Sequence, residues 1–264
     1  YQVFEMVCKK RRISNINQMS QKQKYHVFCQ VKGGEFLKFN FTLDYVYINA
    51  DWFSDKNSLF GKIGEKAFFL YLTLFKFRLH KQDKYHVFLT SIGLLRKETG
   101  YKTSEVLELL LKLRRYRVIN FEGYSRTEYF YDKKGNIKDK DVIIMFSEDA
   151  EWEYNIPVDL RMIQHYLDLG LKERYIGLYC LLRRLSNNIE RKAYMSIEKM
   201  SSILKIDKDI VNSMVYELNK RYLLYSWKVK IKKWDKSYSD KKHRFEHILC
   251  YDYDKLDKFK EEFG

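Results

Sequence analysis

Two stretches decide the fold: Ile92–Val118, IGLLRKETGYKTSEVLELLLKLRRYRV, and Ile197–Leu223, IEKMSSILKIDKDIVNSMVYELNKRYL. They align without a gap at an offset of 105 residues. Like faces like at Ser91/Ser196, Ile92/Ile197, Leu95/Met200, Val106/Val211, Leu109/Met214, Leu110/Val215, Leu113/Leu218 and Val118/Leu223. Upstream, Glu65–Tyr71 matches Glu173–Tyr179 at an offset of 108. The change of offset falls in the connectors Leu79–His86 and Ser186–Ala193, which read as loops absorbing a length difference. A period of about a hundred residues is too long for a solenoid and suits two similar domains.

Periodicity fills in each copy. In the first, Gly64–Leu79 is apolar all round and predicts an enclosed helix. Ser91–Thr99 predicts a short helix with a Ser cap and a stop at Gly100. Lys102–Tyr116 predicts a longer one, with Thr103 or Ser104 as N-cap and Val106, Leu109, Leu110 and Leu113 inward. Strands follow at Val118–Phe121, Glu128–Tyr131 and Val142–Phe146, with a turn at Asp132–Lys140. The second copy predicts helices at Leu171–Leu185, Ser196–Leu204 and Lys208–Lys220, the last capped by Asp207 with Val211, Met214, Val215 and Leu218 inward. Strands Leu224–Lys232 and Phe245–Tyr251 are joined by the basic loop Lys233–Arg244. Three helices and a hairpin are the order of a winged helix, whose second and third helices form the helix-turn-helix. The expected fold is therefore α+β: two tandem winged helix-turn-helix domains at 44–148 and 149–264. An extension at 1–43 precedes them, with an expected β-hairpin from His26–Val31 and Glu35–Phe41 around Gly33-Gly34. The acidic run Ser147–Glu153, with Asn155, Ile156 and the only proline, Pro157, lies between the copies and reads as a linker.

Composition narrows the class. The 264 residues are 45% hydrophobic and 17% aromatic, which argues for a folded chain. The longest apolar region, Ala67–Phe77, is interrupted by Thr73 and Lys76 and predicts a buried helix, not a membrane span. No apolar run follows Lys9-Lys10-Arg11-Arg12, so no secretory signal is expected; from its start at Tyr1 the chain is expected to have lost an initiator Met or a few leading residues. Cys8, Cys29, Cys180 and Cys250 form no C-x-x-C pair and are expected as free thiols in the cytoplasm. His243, His247 and Cys250 are ligand-type residues in a strand-like segment with no fourth candidate, so no metal is expected.

The net charge of +15 calls for a polyanionic partner, and its clustering says where that partner would sit. Between Lys220 and Arg244 ten Lys/Arg face only Asp235 and Asp240. Lys228, Lys230 and Lys232 alternate with Val229 and Ile231, predicting one lysine face and one core face. Lys233, Lys236, Lys241, Lys242 and Arg244 continue the run. On the preceding helix, Lys208, Asp209, Asn212, Ser213, Tyr216 and Lys220 are predicted outward. Asn212 suits adenine, Ser213 suits either edge, and Lys208 and Lys220 suit phosphates. The first copy turns Lys102, Ser104, Glu105, Glu108, Lys112 and Arg115 outward, with Thr103 beside them; its two glutamates oppose phosphate.

No catalytic signature is present. Gly61–Lys66 lacks the Walker pattern, no H-E-x-x-H occurs, and none of the 22 tyrosines has an activating partner in the sequence. The chain is read as a non-enzyme without cofactors. It resembles the tandem winged-helix replication initiators of plasmids and phages, including RepA-type initiators of AT-rich Gram-positive bacteria. The resemblance spans Asp44 to about Asp254 and rests on the paired Glu-(Lys/Arg)-x-x-x-Leu-Tyr helices, the two helix-turn-helix segments and the lysine-rich second wing. It implies double-stranded DNA with AT-rich repeats as the ligand, with a replisome protein and a second copy of the chain as candidate partners. A winged-helix transcriptional regulator and a non-catalytic segregation or conjugation adaptor are the alternatives.

Overall fold

The computed structural model describes residues 45–264 except 57, 83–84, 122–129, 149–154, 187–191 and 231–242, with backbone alone at 79–82, 85, 148, 230 and 243–244. The hairpin expected within 26–41 lies outside the described residues. The chain divides into two compact units: Thr73–Glu151 with Tyr1–Thr42, and Leu43–Leu72 with Trp152–Gly264. The sequence boundaries differ from this, because Leu43–Leu72 groups with the second unit and not with the first copy.

In the first unit, the end of helix α2 (Glu65–Leu74) leads into β2 (Arg78–Gln82) and β3 (Tyr85–Thr90). Helices α3 (Ile92–Thr99) and α4 (Thr103–Arg115) follow, then β4 (Asn120–Phe121) and β5 (Ile143–Glu148). The antiparallel sheet has the order β2-β3-β5-β4. Phe75 packs edge-on against Phe88 at 5.2 Å, and Phe121 against Phe130 at 5.3 Å. Ser91 caps α3 as expected, and Gly100 ends it at φ 73. The cap of α4 differs from expectation: Lys102 occupies it, extended and without an oxygen to offer, because the helix already begins at Thr103. Its buried stripe is Val106, Leu107, Leu110 and Leu113, so the helix is rotated toward Leu107, and Leu109 is half-buried.

The second unit opens with β1 (Tyr45–Asn49), α1 (Leu59–Ile63) and the start of α2. After the first unit come β6 (Asn155–Asp159), α5 (Leu160–Asp168), α6 (Glu173–Leu185), β7 (Lys192–Tyr194), α7 (Ile197–Leu204) and α8 (Lys208–Lys220). Strands β8 (Leu224–Lys230) and β9 (His243–Leu249) and helix α9 (Leu256–Phe263) complete it. β1 and β6 pair antiparallel, with Tyr47 opposite Pro157, so the segment read as a linker supplies a strand. The proline is tolerated because a two-stranded ribbon leaves outer N–H positions unpaired. Trp52, Phe53, Phe60 and Phe68 form an aromatic cluster with centroids 5.2–5.7 Å apart. Phe60 lies on α6 where Gly177 leaves room, and the Arg184 guanidinium donates to the Phe53 carbonyl at 2.9 Å. These contacts hold Leu43–Leu72 in the second unit. The main sheet has the order β7-β9-β8.

The duplication extends to the backbone. Helices α3 and α7 have 8 residues each, and α4 and α8 have 13 each, at matching positions of the repeat. In both units the strand before the helix pair lies beside the last strand, which is therefore central. α3 and α7 both end on a left-handed residue, Gly100 at φ 73 and Lys205 at φ 56. After α4 and α8 the left-handed residues are Arg117 at φ 58 and Tyr222 at φ 55. There Val118 N–H donates to Leu113 C=O at 2.9 Å, and Leu223 N–H to Leu218 C=O at 3.0 Å. Both are Schellman closures, which satisfy the orphan carbonyls of a helix end. The molecule is thus mixed α and β, with helices beside small antiparallel sheets. Among the described residues no helix is long and apolar enough to cross a membrane.

Candidate nucleic-acid interface

Helix α8 is the best-formed candidate surface. Val211, Met214, Val215 and Leu218 are buried as the periodicity predicts, and this fixes what faces out. Lys208, Asp209, Asn212, Ser213, Tyr216 and Lys220 are all exposed, Tyr216 at 69%. Asp207 caps the helix by accepting from Asp209 N–H at 2.8 Å. Ser213 Oγ donates to the Asp209 carbonyl at 2.8 Å. Asn219 is not part of the outward set: its Oδ1 accepts from Ser226 N–H at 2.9 Å and ties α8 to β8. Arg221 is likewise engaged, with Glu217 at 2.6 Å and the Leu169 carbonyl at 3.0 Å.

Strand β8 carries the next basic residues. Lys228 is exposed. Of the expected alternation the described side chains are Lys228, exposed, and Val229, half-buried, and their faces are exchanged. Leu224 is buried and Ser226 bonds to buried His247, so Lys228 shares their sheet face, while Val229 shares the face of Tyr225 and Trp227. The core covers that shared face only as far as Ser226, and beyond it the same face reaches solvent at Lys228. Lys230 closes β8 opposite His243, and Arg244 stands on β9 opposite Val229. Lys232, Lys233, Lys236, Lys241 and Lys242 lie outside the described residues.

His247 is a structural residue. It is fully buried, its Nδ1 stands 2.7 Å from Ser226 Oγ and its Nε2 2.8 Å from the Met195 carbonyl. A carbonyl only accepts, so Nε2 carries the proton and Nδ1 accepts from Ser226. Burial pushes the imidazole below its ordinary range, against a smaller opposing effect of the Met195 hydrogen bond. Cys180 and Cys250 are free and buried; burial pushes the Cys250 thiol up to about 12. Among the described residues no three His, Cys, Asp or Glu side chains are grouped to hold a metal.

Helix α4 offers a different surface. Lys102, Ser104, Glu108 and Arg115 are exposed, and Thr103, Glu105 and Lys112 are half-buried. Through the repeat, Asn212, Ser213 and Tyr216 correspond to Leu107, Glu108 and Leu111. Leu107 is 2% exposed and Leu111 half-buried. The three positions that present polar and aromatic groups on α8 therefore present one carboxylate and two largely sequestered leucines on α4. The signal was available in the sequence, in the leucines at 107 and 111, but only with the helix rotation known. Lys133, Lys134 and Lys140, outside the expected set, are exposed in the turn before β5. That turn is built on Asp132, whose Oδ1 accepts from Lys134 and Asn136 N–H at 2.8 Å each. Its far end approaches α3, where Gly93 N–H donates to the Asp139 carbonyl at 2.6 Å. With Asp132, Asp139 and Asp141 nearby, this turn lacks the strong basic excess of Lys220–Arg244.

Comparison with protein-family models, with curated proteins and with solved structures finds no match.

Proposed function

We propose that the chain is a sequence-specific double-stranded DNA-binding protein built from two winged-helix units, and that it acts as a replication initiator on repeated origin sites without catalysing a reaction. The observation that carries this is the outward face of α8: Asn212, Ser213 and Tyr216 at its middle with Lys208 and Lys220 at its ends. Such a face suits insertion into a major groove, with amide and hydroxyl groups toward base edges and lysines toward phosphates. Support for the winged-helix reading comes from the matched helix pairs of the two units and the central last strand in both sheets. Lys228 stands on β8, the strand that Asn219 ties to α8, so both would engage one duplex.

In this reading the second unit reads sequence and the first adds contact without base readout, since Leu107 and Leu111 occupy its reading positions. Two linked units gain effective concentration for the second contact, so individually weak sites add to tight binding. The test is selection of bound fragments from the source genome. Clustered direct repeats near an origin support the initiator. A single palindrome upstream of a gene replaces it with a regulator, and salt-sensitive binding without enrichment replaces it with an adaptor.

A further inference from the structure

We infer that α8 reads A·T base pairs, with Asn212 on the adenine edge, Ser213 accepting from a base amino group and Tyr216 against a thymine methyl; this rests on the DNA-reading role of α8 proposed above. The first ground is Ser213. Its single hydroxyl proton is used on the Asp209 carbonyl at 2.8 Å, so only its lone pairs face outward. It can accept from adenine N6 or cytosine N4, and it opposes the two acceptors of guanine. The second ground is charge. No arginine occurs between Lys208 and Lys220, and the two outward lysines stand at the first and last positions. The middle of the face therefore lacks the cation that reads guanine O6 and N7. Asn212, exposed between them, offers the donor and acceptor that match adenine N7 and N6.

The third ground is Tyr216. One helical turn beyond Asn212, it is the most exposed large apolar residue among those described, at 69%, and forms no ring contact with another described residue. An exposed ring in the middle of a polar face has no role in the core of the unit. The thymine methyl is the only apolar group on the major-groove edge, and the ring is placed to cover it. Asn212 and Tyr216 thus address the two partners of one pair, or of neighbouring pairs.

The experiment uses the full chain and a duplex pool with a random central segment. Selection with the wild type is expected to enrich a motif containing A·T pairs that depend on α8. Asn212→Ala is expected to relax one of these positions by roughly 5- to 150-fold. In the selected duplex, uracil for thymine at one position is expected to weaken binding about fourfold, the effect of one methylene-sized apolar contact. 7-Deazaadenine at one adenine is expected to weaken it roughly 2- to 12-fold. The uracil effect should vanish in Tyr216→Ala, and the deaza effect in Asn212→Ala. G·C at the α8-dependent positions, or analogue effects that persist in both variants, overturns the A·T assignment while leaving DNA reading intact. Failure to enrich any sequence overturns the reading of α8 itself, and the A·T assignment with it.

Discussion

Gly177 sits in the middle of α6, where helix propensity alone favours alanine by about 1 kcal/mol. A Cβ there would stand 2.3 Å from the Phe60 ring. Steric exclusion outweighs propensity, because overpacking a core costs about 1–3 kcal/mol. Gly177→Ala is therefore expected to lower the urea midpoint by the equivalent of about 1–2 kcal/mol; a raised midpoint would show that Phe60 yields. Asp159 is a second decisive residue. It is fully buried and bonds to Arg161 N–H at 2.9 Å, the Arg161 guanidinium at 3.1 and 3.2 Å, and Tyr253 N–H at 3.0 Å. It thereby joins the start of α5 to the segment before α9. Removing Asp159 strands the Tyr253 N–H and the start of α5, while Arg161 keeps Asp254, so Asp159→Ala should destabilise by about 1–3 kcal/mol in equilibrium unfolding. A loss under about 1 kcal/mol would mean that Arg161 and Tyr253 re-solvate freely. Neither residue stands out in the sequence: each takes its meaning from a neighbour far along the chain. The inward stripe of α8 was legible because its apolar spacing admits one orientation. That of α4 was legible at Val106, Leu110 and Leu113 but not at Leu107, since Leu107, Leu109, Leu110 and Leu111 admit two orientations.

The ends of elements carry the repeat more plainly than their interiors. Gly100 closes α3 in the left-handed region at no steric cost, while Lys205 closes α7 there with a side chain. Lys205→Gly should stabilise the chain by about 0.5–1 kcal/mol, visible as a higher melting temperature. The offsetting loss is the packing of the Lys205 stem near Gly61, so a decrease would show that this contact outweighs the backbone strain. Helices with local signals, Ser91 and Asp207 caps and the Gly100 stop, were read to within a residue or two. Strands were harder. β7 is only 3 residues long, and β3 is recognisable mainly because β5 lies beside it. β1 and β6 pair across more than a hundred residues, with the first unit between them. Hydrogen-bond partners at that separation leave no periodic trace, so the connectors Leu79–His86 and Ser186–Ala193, into which β2, β3 and β7 run, read as loops and Asn155–Pro157, within β6, as part of a linker. The short helix α5 and the C-terminal α9 were passed over for a similar reason: their apolar residues are few and meaningful only against the second core.

At the scale of the whole molecule, two titrations test the account. His247 and His165 both lie below the ordinary value of 6.5 through burial, with Lys260 adding to the effect at His165. The folded chain therefore binds these protons less readily than the unfolded chain. Stability is full above about pH 6.5 and falls as the pH drops from there toward the folded values. Urea midpoints between pH 7.5 and 5.5 should show this slope, and His247→Gln should reduce it; an unchanged slope would remove His247 from the account. Salt is the second titration. The net charge of +15 is concentrated toward Lys220–Arg244, and if six residues there contact phosphates the log–log slope should be roughly −5. Lys230→Ala with Lys232→Ala should reduce that slope by about two for every sequence alike, whereas Asn212→Ala should leave it unchanged and alter only the preferred sequence. Lys112→Ala with Arg115→Ala, in the first unit, should weaken all duplexes by a common factor without changing the selected motif, because Leu107 and Leu111 stand where α8 carries Asn212 and Tyr216. If the first-unit pair instead shifts the motif, α4 enters a groove after all, and the division of labour between the units fails. If the Lys230/Lys232 pair leaves the slope where it was, any phosphate contacts lie elsewhere on the chain, and the charge cluster after α8 answers to a partner other than DNA.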